Sequence, residues 1–237
     1  TVRDERLAPW PRTEAIVRKE LADYHAAIMF LDAQVGRILD ALKASGQWEN
    51  TLIVFSSDHG LAIGSHGLMG KQSLYEHSMR SPLIIAGPGI GKGATKDALC
   101  YLLDVYPTLG ELAGVTGPEG SEGLSLGPVL RGEETTRRAA LMTGYRDLQR
   151  AVRDDRYKLI VYPKINKHQL FDLVKDPQEM MDLALEPGHT DDIDRMTRLL
   201  EKLQAENGDA LALRSEHPLP LAFDFTKVEP VKPRKVE

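Results

Sequence analysis

Two residues with ligand-forming side chains, Asp58 and His59, stand side by side at the end of an apolar run, TLIVFSSDHG (Thr51–Gly60). A carboxylate suits hard cations such as calcium or magnesium. An imidazole nitrogen shifts the preference toward zinc or manganese. Two adjacent donors do not complete a site, so a metal here needs ligands from elsewhere. The alternative is a turn, with Asp-His-Gly capping the segment that follows a strand. His66 and Lys71 come shortly after, in a stretch carrying Gly60, Gly64, Gly67 and Gly70. A lysine beside a metal makes a cationic pocket for an oxyanion such as sulfate or phosphate. Alone, Lys71 reads as a solvated surface charge and His66 as a loop histidine.

The elements that must position these residues are legible in outline. Thr51–Phe55 is β-branched and aromatic and predicts a buried strand. In open α/β sheets, ligands bind outside the carboxyl ends of the strands, where Asp58 and His59 would lie. Before it, Thr13–Ser45 predicts a helix, with Thr13 as cap, Ile28, Leu31, Val35, Ile38, Leu39 and Leu42 at helical spacing, and Gly46 as terminator. Helix, short loop and strand together suggest half of a βαβ unit in a parallel sheet. Lys71–Met79 predicts a short helix, with His77 on its exposed face. Pro82–Ala86 predicts a second buried strand, and Leu99–Leu112 a helix kinked or restarted at Pro107.

Gly114–Gly132 reads as surface loop. Beyond Glu133–Arg138 come four short strand-like runs, Ala139–Tyr145, Gln149–Arg153, Tyr157–Tyr162 and Gln169–Leu173, spaced as an antiparallel meander. Asp191–Asn207 is an amphipathic helix with Ile193, Met196, Leu199, Leu200 and Leu203 on one face. The proline-containing tail from Glu216 predicts an extended arm. Three segments follow: 1–135, 136–215 and 216–237.

The 237 residues are 42% hydrophobic and 27% charged, an ordinary globular composition. A net charge of −5 gives no electrostatic case for nucleic acid. No apolar run reaches the roughly 18 residues of a membrane span. The one cysteine, Cys100, excludes an intrachain disulfide and assigns no compartment. It reads as a small buried apolar residue within a helix. Asp32 and Asp104, also on helices, read as structural hydrogen-bonding groups. The opening TVRDERLAPWPR has neither an initiator Met nor a signal-peptide pattern, as in a chain cut from something longer.

The stretch SSDHGLAIGSHGLMGKQSLYEHSMRSPLIIAGPG (Ser56–Gly89) resembles the second metal-and-substrate segment of the type I, formylglycine-dependent sulfatases of the alkaline phosphatase superfamily. So do the preceding helix YHAAIMFLDAQVGRILDAL (Tyr24–Leu42) and the later LLDVYPTLGELAGV (Leu102–Val115). RDDRYKLIVY and QLFDLVKDPQEMMDLA (Arg153–Tyr162, Gln169–Ala184) are similar to the sulfatase C-terminal subdomain. The ordered series is far more specific than any one motif.

The resemblance implies an α/β fold: the later strands and helices of the large mixed sulfatase sheet, plus a small C-terminal antiparallel subdomain. It implies that Asp58 and His59 bind a divalent metal, usually calcium in this family. It implies that Lys71, in the GKxxxYE stretch Gly70–Glu76, binds a sulfate oxygen, with His59 facing the sulfate and His66 near the substrate. The reaction implied is sulfate ester hydrolysis, with a sulfated small molecule or glycan as substrate. The family's formylglycine arises from a C/S-x-P/A-x-R motif, which this sequence does not contain, and two upstream metal aspartates also lack counterparts. The chain alone is therefore expected to be inactive, and its partner to be the missing N-terminal half or a second copy. Two other readings stay open: a phosphonate or phosphodiester hydrolase of the same superfamily, and a non-catalytic protein binding metal or sulfated glycan. Lys167, His168 and Gln169 could reach a sugar, or form a surface turn.

Overall fold

The computed structural model describes residues 7–8, 11–115 and 120–222. The described residues form two compact units, those up to residue 72 with 77–89, and 73–76 with those from 90 to 222. The fold class is α/β with antiparallel sheets.

The first unit is built on a long helix, α1 (Glu14–Ala44). Thr13 caps it, its hydroxyl accepting from the Ile16 N–H, and Gly46 ends it at φ +72°, a conformation that favours glycine. No residue of α1 is buried, and Met29, Phe30 and Ile38 are each about two-thirds or more exposed. β1 (Ile53–Ser56) and β2 (Leu83–Ala86) pair antiparallel, with Val54 opposite Ile85. The connection between them carries a four-residue helix, α2 (Glu76–Met79). The βαβ half-unit expected of α1 and β1 involves a strand ahead of α1, which this pair does not test. β1 is half-buried rather than buried, since the sheet has only two strands among the described residues.

The helix expected over Lys71–Met79 is thus confined to α2; the hairpin-like loop before it uses the backbone groups of residues 62–70 among themselves. His77 is half-buried, not on an open face.

In the second unit Leu99–Tyr101 is not helical. A 3-10 turn at Leu102–Asp104 precedes α3 (Val105–Ala113), which holds Pro107 in its first turn, where no N–H is needed. Cys100 therefore lies ahead of the helix and is only half-buried. The expected surface loop contains a short helix, α4 (Gly127–Arg131).

Asp104 is fully buried and structural, as expected. Its carboxylate accepts from Arg138 at 2.6 Å, the Leu124 N–H at 2.7 Å and the Tyr101 N–H at 2.8 Å.

The meander is present as predicted: β3 (Leu141–Tyr145), β4 (Gln149–Arg153), β5 (Tyr157–Tyr162) and β6 (Lys167–Asp172) in sequential antiparallel order. Lys167, His168 and Gln169 begin β6 and are not a surface turn. One face of the sheet, with Val152, Leu159, Val161 and Leu170, packs on Met196 and Leu200 of α5 (Thr190–Glu206). Of the expected tail, Leu219 donates its N–H to the Lys164 carbonyl; from residue 223 the arm lies outside the described residues.

The opposite face holds charge. Arg153 and Lys158 are direct partners in the β4–β5 register, so two cations sit across from each other. Like charges so placed repel. Glu76 bridges them, at 2.6 Å from Arg153 Nη1 and 3.0 Å from Lys158 Nζ. Glu179 lies 2.8 Å from the same Nζ and accepts the Glu76 backbone N–H at 2.6 Å. Lys158 is 2% exposed. Beside this cluster Tyr75 donates to Gln169 Oε1 at 2.8 Å and packs edge-on against Phe171. Tyr162 donates to the same oxygen at 2.7 Å.

Breaking one partner of a buried ion pair costs about 3–5 kcal/mol, so Lys158→Met should destabilise the chain by that order in urea unfolding. Burial pushes the Asp104 carboxyl up, but hydrogen bonds from Arg138, Leu124 and Tyr101 outweigh it and hold the group below its usual range. Its folded form thus binds the proton less readily than its unfolded form. That stability is fully present above about pH 4 and is lost as pH falls. Asp104→Asn should lower the melting temperature at pH 7 and flatten its decline between about pH 4 and 2.

Candidate functional site

The loop after β1 folds on itself. Ala62 N–H donates to Gly70 O at 3.0 Å, and Gly64 N–H to Leu68 O at 2.7 Å. This ladder returns the chain so that Lys71 Nζ meets His59 Nε2. The His59 ring is oriented from its other side, with Nδ1 at 2.9 Å from the Gly60 carbonyl. A carbonyl only accepts, so Nδ1 carries the proton. Nε2 is then left with the lone pair that receives the ammonium. Asp58 Oδ2 lies 3.3 Å from the same Nε2. Ser57 steadies the turn by donating to the His59 carbonyl at 2.9 Å.

Asp58, His59 and Lys71 are thus brought together. The arrangement offers one carboxylate, one oriented imidazole lone pair and one ammonium. His66 is placed differently. It adopts φ +54° in a 3-10 turn, and its ring packs against that of His77 with centroids 5.6 Å apart.

A cleft of about 430 Å³ opens beside the pair, lined by His59 and Lys71 but not by His66. Its lining includes apolar Leu61, Ile63 and Met69, and Glu20, Asp23 and Tyr24 of α1. These α1 residues were not singled out from the sequence. The available signal is their spacing from Val17. Val17, Glu20 and Tyr24 share one helix face, and Val17 sits where a Cβ at Gly64 would have to go. Arg12 adds a hydrogen bond to the Gly67 carbonyl at 2.5 Å.

For a divalent cation, Asp58 and His59 fit two coordination positions. No group of three or more His, Cys, Asp or Glu side chains able to hold a metal exists among the described residues. The donors present are too few for a closed site.

Residues 64–206 match the family model for the C-terminal region of N-sulphoglucosamine sulphohydrolase, and residues 4–115 match the sulfatase model. The chain belongs to the sulfatase family. This sulfatase chain is 40% identical over 182 residues to a choline-sulfatase of Rhizobium meliloti (strain 1021), covering 74% of the chain and 35% of that protein. Its fold superposes with TM-score 0.77 and 31% identity on a protein solved in complex with its substrate D-glucosamine-2-N,6-O-disulfate, covering 85% of the chain and 43% of that protein. It also superposes, at 0.73 and 28%, on a phosphonate monoester hydrolase of Agrobacterium radiobacter, covering 84% and 44%. The sulfatase chain thus spans less than half the length of these relatives.

Gly60 holds the geometry by close approach. Its N–H donates to the Ser78 carbonyl at 2.9 Å, and a Cβ there would overlap the His77 carbonyl oxygen. Gly60→Ala should cost about 1–3 kcal/mol in chemical unfolding, in the range of overpacked sites.

Proposed function

We propose that this chain supplies the sulfate-binding side of a sulfuric ester hydrolase site. The observation that carries the reading is the meeting of Lys71 with His59 in the lining of the cleft. In this reading the ester sulfate draws the Lys71 ammonium away from His59 and takes its place beside it. Lys71 donates to a sulfuryl oxygen and stabilises the negative charge that grows as the ester S–O bond breaks. His59, held by Gly60, faces the sulfate, and its Nε2 lone pair is kept for the metal. A divalent cation, calcium by family likeness, would polarise the sulfuryl oxygens, with Asp58 and His59 among its ligands. His66 is kept as a residue near the substrate rather than on the sulfate.

The nucleophile must come from a C/S-x-P/A-x-R segment, and no such motif occurs in the sequence. The chain by itself is therefore proposed to be inactive. The apolar stripe of α1 is proposed as the surface that receives the rest of a sulfatase or a second copy. The likeness to a phosphonate monoester hydrolase favours a second reading, in which the same Lys71 and His59 receive a phosphonate. Sulfate and phosphonate monoesters are both tetrahedral oxyanions, so Lys71 suits either.

Aryl sulfate hydrolysis should be absent from the purified 237-residue chain and present when the chain is part of a polypeptide carrying the nucleophile segment. In that longer protein Lys71→Ala should lower kcat by about 10²–10³, the effect of removing one charge-stabilising donor. Turnover by the chain alone, or an unaffected Lys71→Ala enzyme, would overturn the reading. A phenylphosphonate monoester hydrolysed faster than the aryl sulfate would select the second one.

A further inference from the structure

The loop that carries Lys71 back to His59 holds one residue whose type does not suit its backbone. Ile63 takes φ +41°, Gly64 +101°, His66 +54° and Gly67 +70°. The two glycines adopt such left-handed conformations freely. Histidine is among the types that tolerate them. Isoleucine is not: a β-branched side chain at positive φ crowds its own backbone and is a true outlier.

The surroundings impose this conformation. On either side of Ile63, the Ala62 N–H donates to the Gly70 carbonyl at 3.0 Å and the Gly64 N–H to the Leu68 carbonyl at 2.7 Å. The Ser65 N–H reaches back to the Ala62 carbonyl at 3.0 Å. Val17 of α1 fills the space beside Gly64, and Arg12, just ahead of α1, donates to the Gly67 carbonyl. None of these contacts uses a side chain at position 63. Glycine or asparagine would meet them at lower cost. Strain of this kind persists only where the structure around it over-determines the backbone, and it clusters at ligand sites.

What isoleucine adds is its side chain. It is half-buried and lines the cleft together with His59 and Lys71, in a lining that also holds apolar Leu61 and Met69. An ester held by its sulfate on Lys71 must still seat its organic group. We propose that Ile63 is a specificity-determining residue, whose side chain, presented by the left-handed backbone, packs against the organic group of the ester. The inference rests on the sulfate-binding reading of Lys71 and goes beyond it in giving the strained residue a ligand contact.

The test uses two probes, inorganic sulfate and 4-nitrophenyl sulfate, titrated into the 237-residue chain and followed by NMR chemical-shift changes, with melting temperatures measured alongside. Ile63→Gly should weaken 4-nitrophenyl sulfate about fourfold or more, the equivalent of at least one buried methylene. Inorganic sulfate, which has no organic group, should bind as before. The variant should melt within about 2 °C of the parent, because relief of the left-handed isoleucine offsets the lost apolar burial. Ile63→Leu, which restores an apolar side chain of the same size, should recover the binding of the aryl ester. Equal weakening of both probes, or a larger fall in melting temperature, would make Ile63 a residue of the loop's own packing and overturn the contact. An aryl ester bound equally by Ile63→Gly, with both probes lost in Lys71→Ala, would overturn it too and leave the sulfate site standing. Absence of binding to the parent chain, or binding indifferent to Lys71→Ala, would overturn the sulfate site and this inference with it.

Discussion

Two cations face each other across adjacent strands, and one carboxylate between them makes the arrangement tolerable. Arg153 and Lys158 are fixed opposite each other by the register of β4 and β5. Without Glu76 that pairing would be repulsive, and buried Lys158 would keep Glu179 alone as its counter-charge. Much of the second unit is arranged around this requirement. Glu179 completes the neutralisation and takes φ +55°, a conformation in which non-glycine residues are uncommon. Its carboxylate also captures the Glu76 backbone N–H. Tyr75, Gln169 and Tyr162 continue the same face as a shared hydrogen-bond network, and burial pushes the Tyr162 phenol up. The sheet thus turns one oily side to α5, and on the other sets an ion-pair cluster among buried Ala151, Ile160 and Phe171, joined by a segment distant in sequence.

The candidate site depends on a different device. A nine-residue span of loop, 62–70, is tied by its own backbone, so that residues twelve positions apart in sequence meet. Three small-residue contacts tighten it: Gly60 against the carbonyls of His77 and Ser78, Gly64 against Val17, and Ser57 on the His59 carbonyl. None of these contacts carries chemistry. They set the distance between an imidazole and an ammonium, and chemistry follows from that distance.

The sequence is a good guide wherever periodicity or capping acts locally. Thr13 and Gly46 mark both ends of α1, and β4 and β5 fall on their expected residues. The apolar stripe of α5, read from Met196 and Leu200, is the stripe that packs. Asp58, His59 and Lys71 are legible because the motif carries them. What was hidden is what depends on pairing at a distance. The antiparallel direction of the β1–β2 ribbon is not legible in the composition of either strand. Lys158 reads as an ordinary strand lysine until its register partner is known. Glu20 and Tyr24 read as part of a helix face, and only the contact of Val17 with Gly64 turns that face toward the cleft.

α1 bears on how the whole chain melts. Its 31 residues include none that is buried. The heat capacity of unfolding and the denaturant slope both scale with surface newly exposed to solvent. A helix that already shows most of its side chains to water adds length but little to either quantity. Calorimetry of this chain will therefore register a smaller protein than its mass implies. The deficit measures the apolar area that this helix leaves facing water.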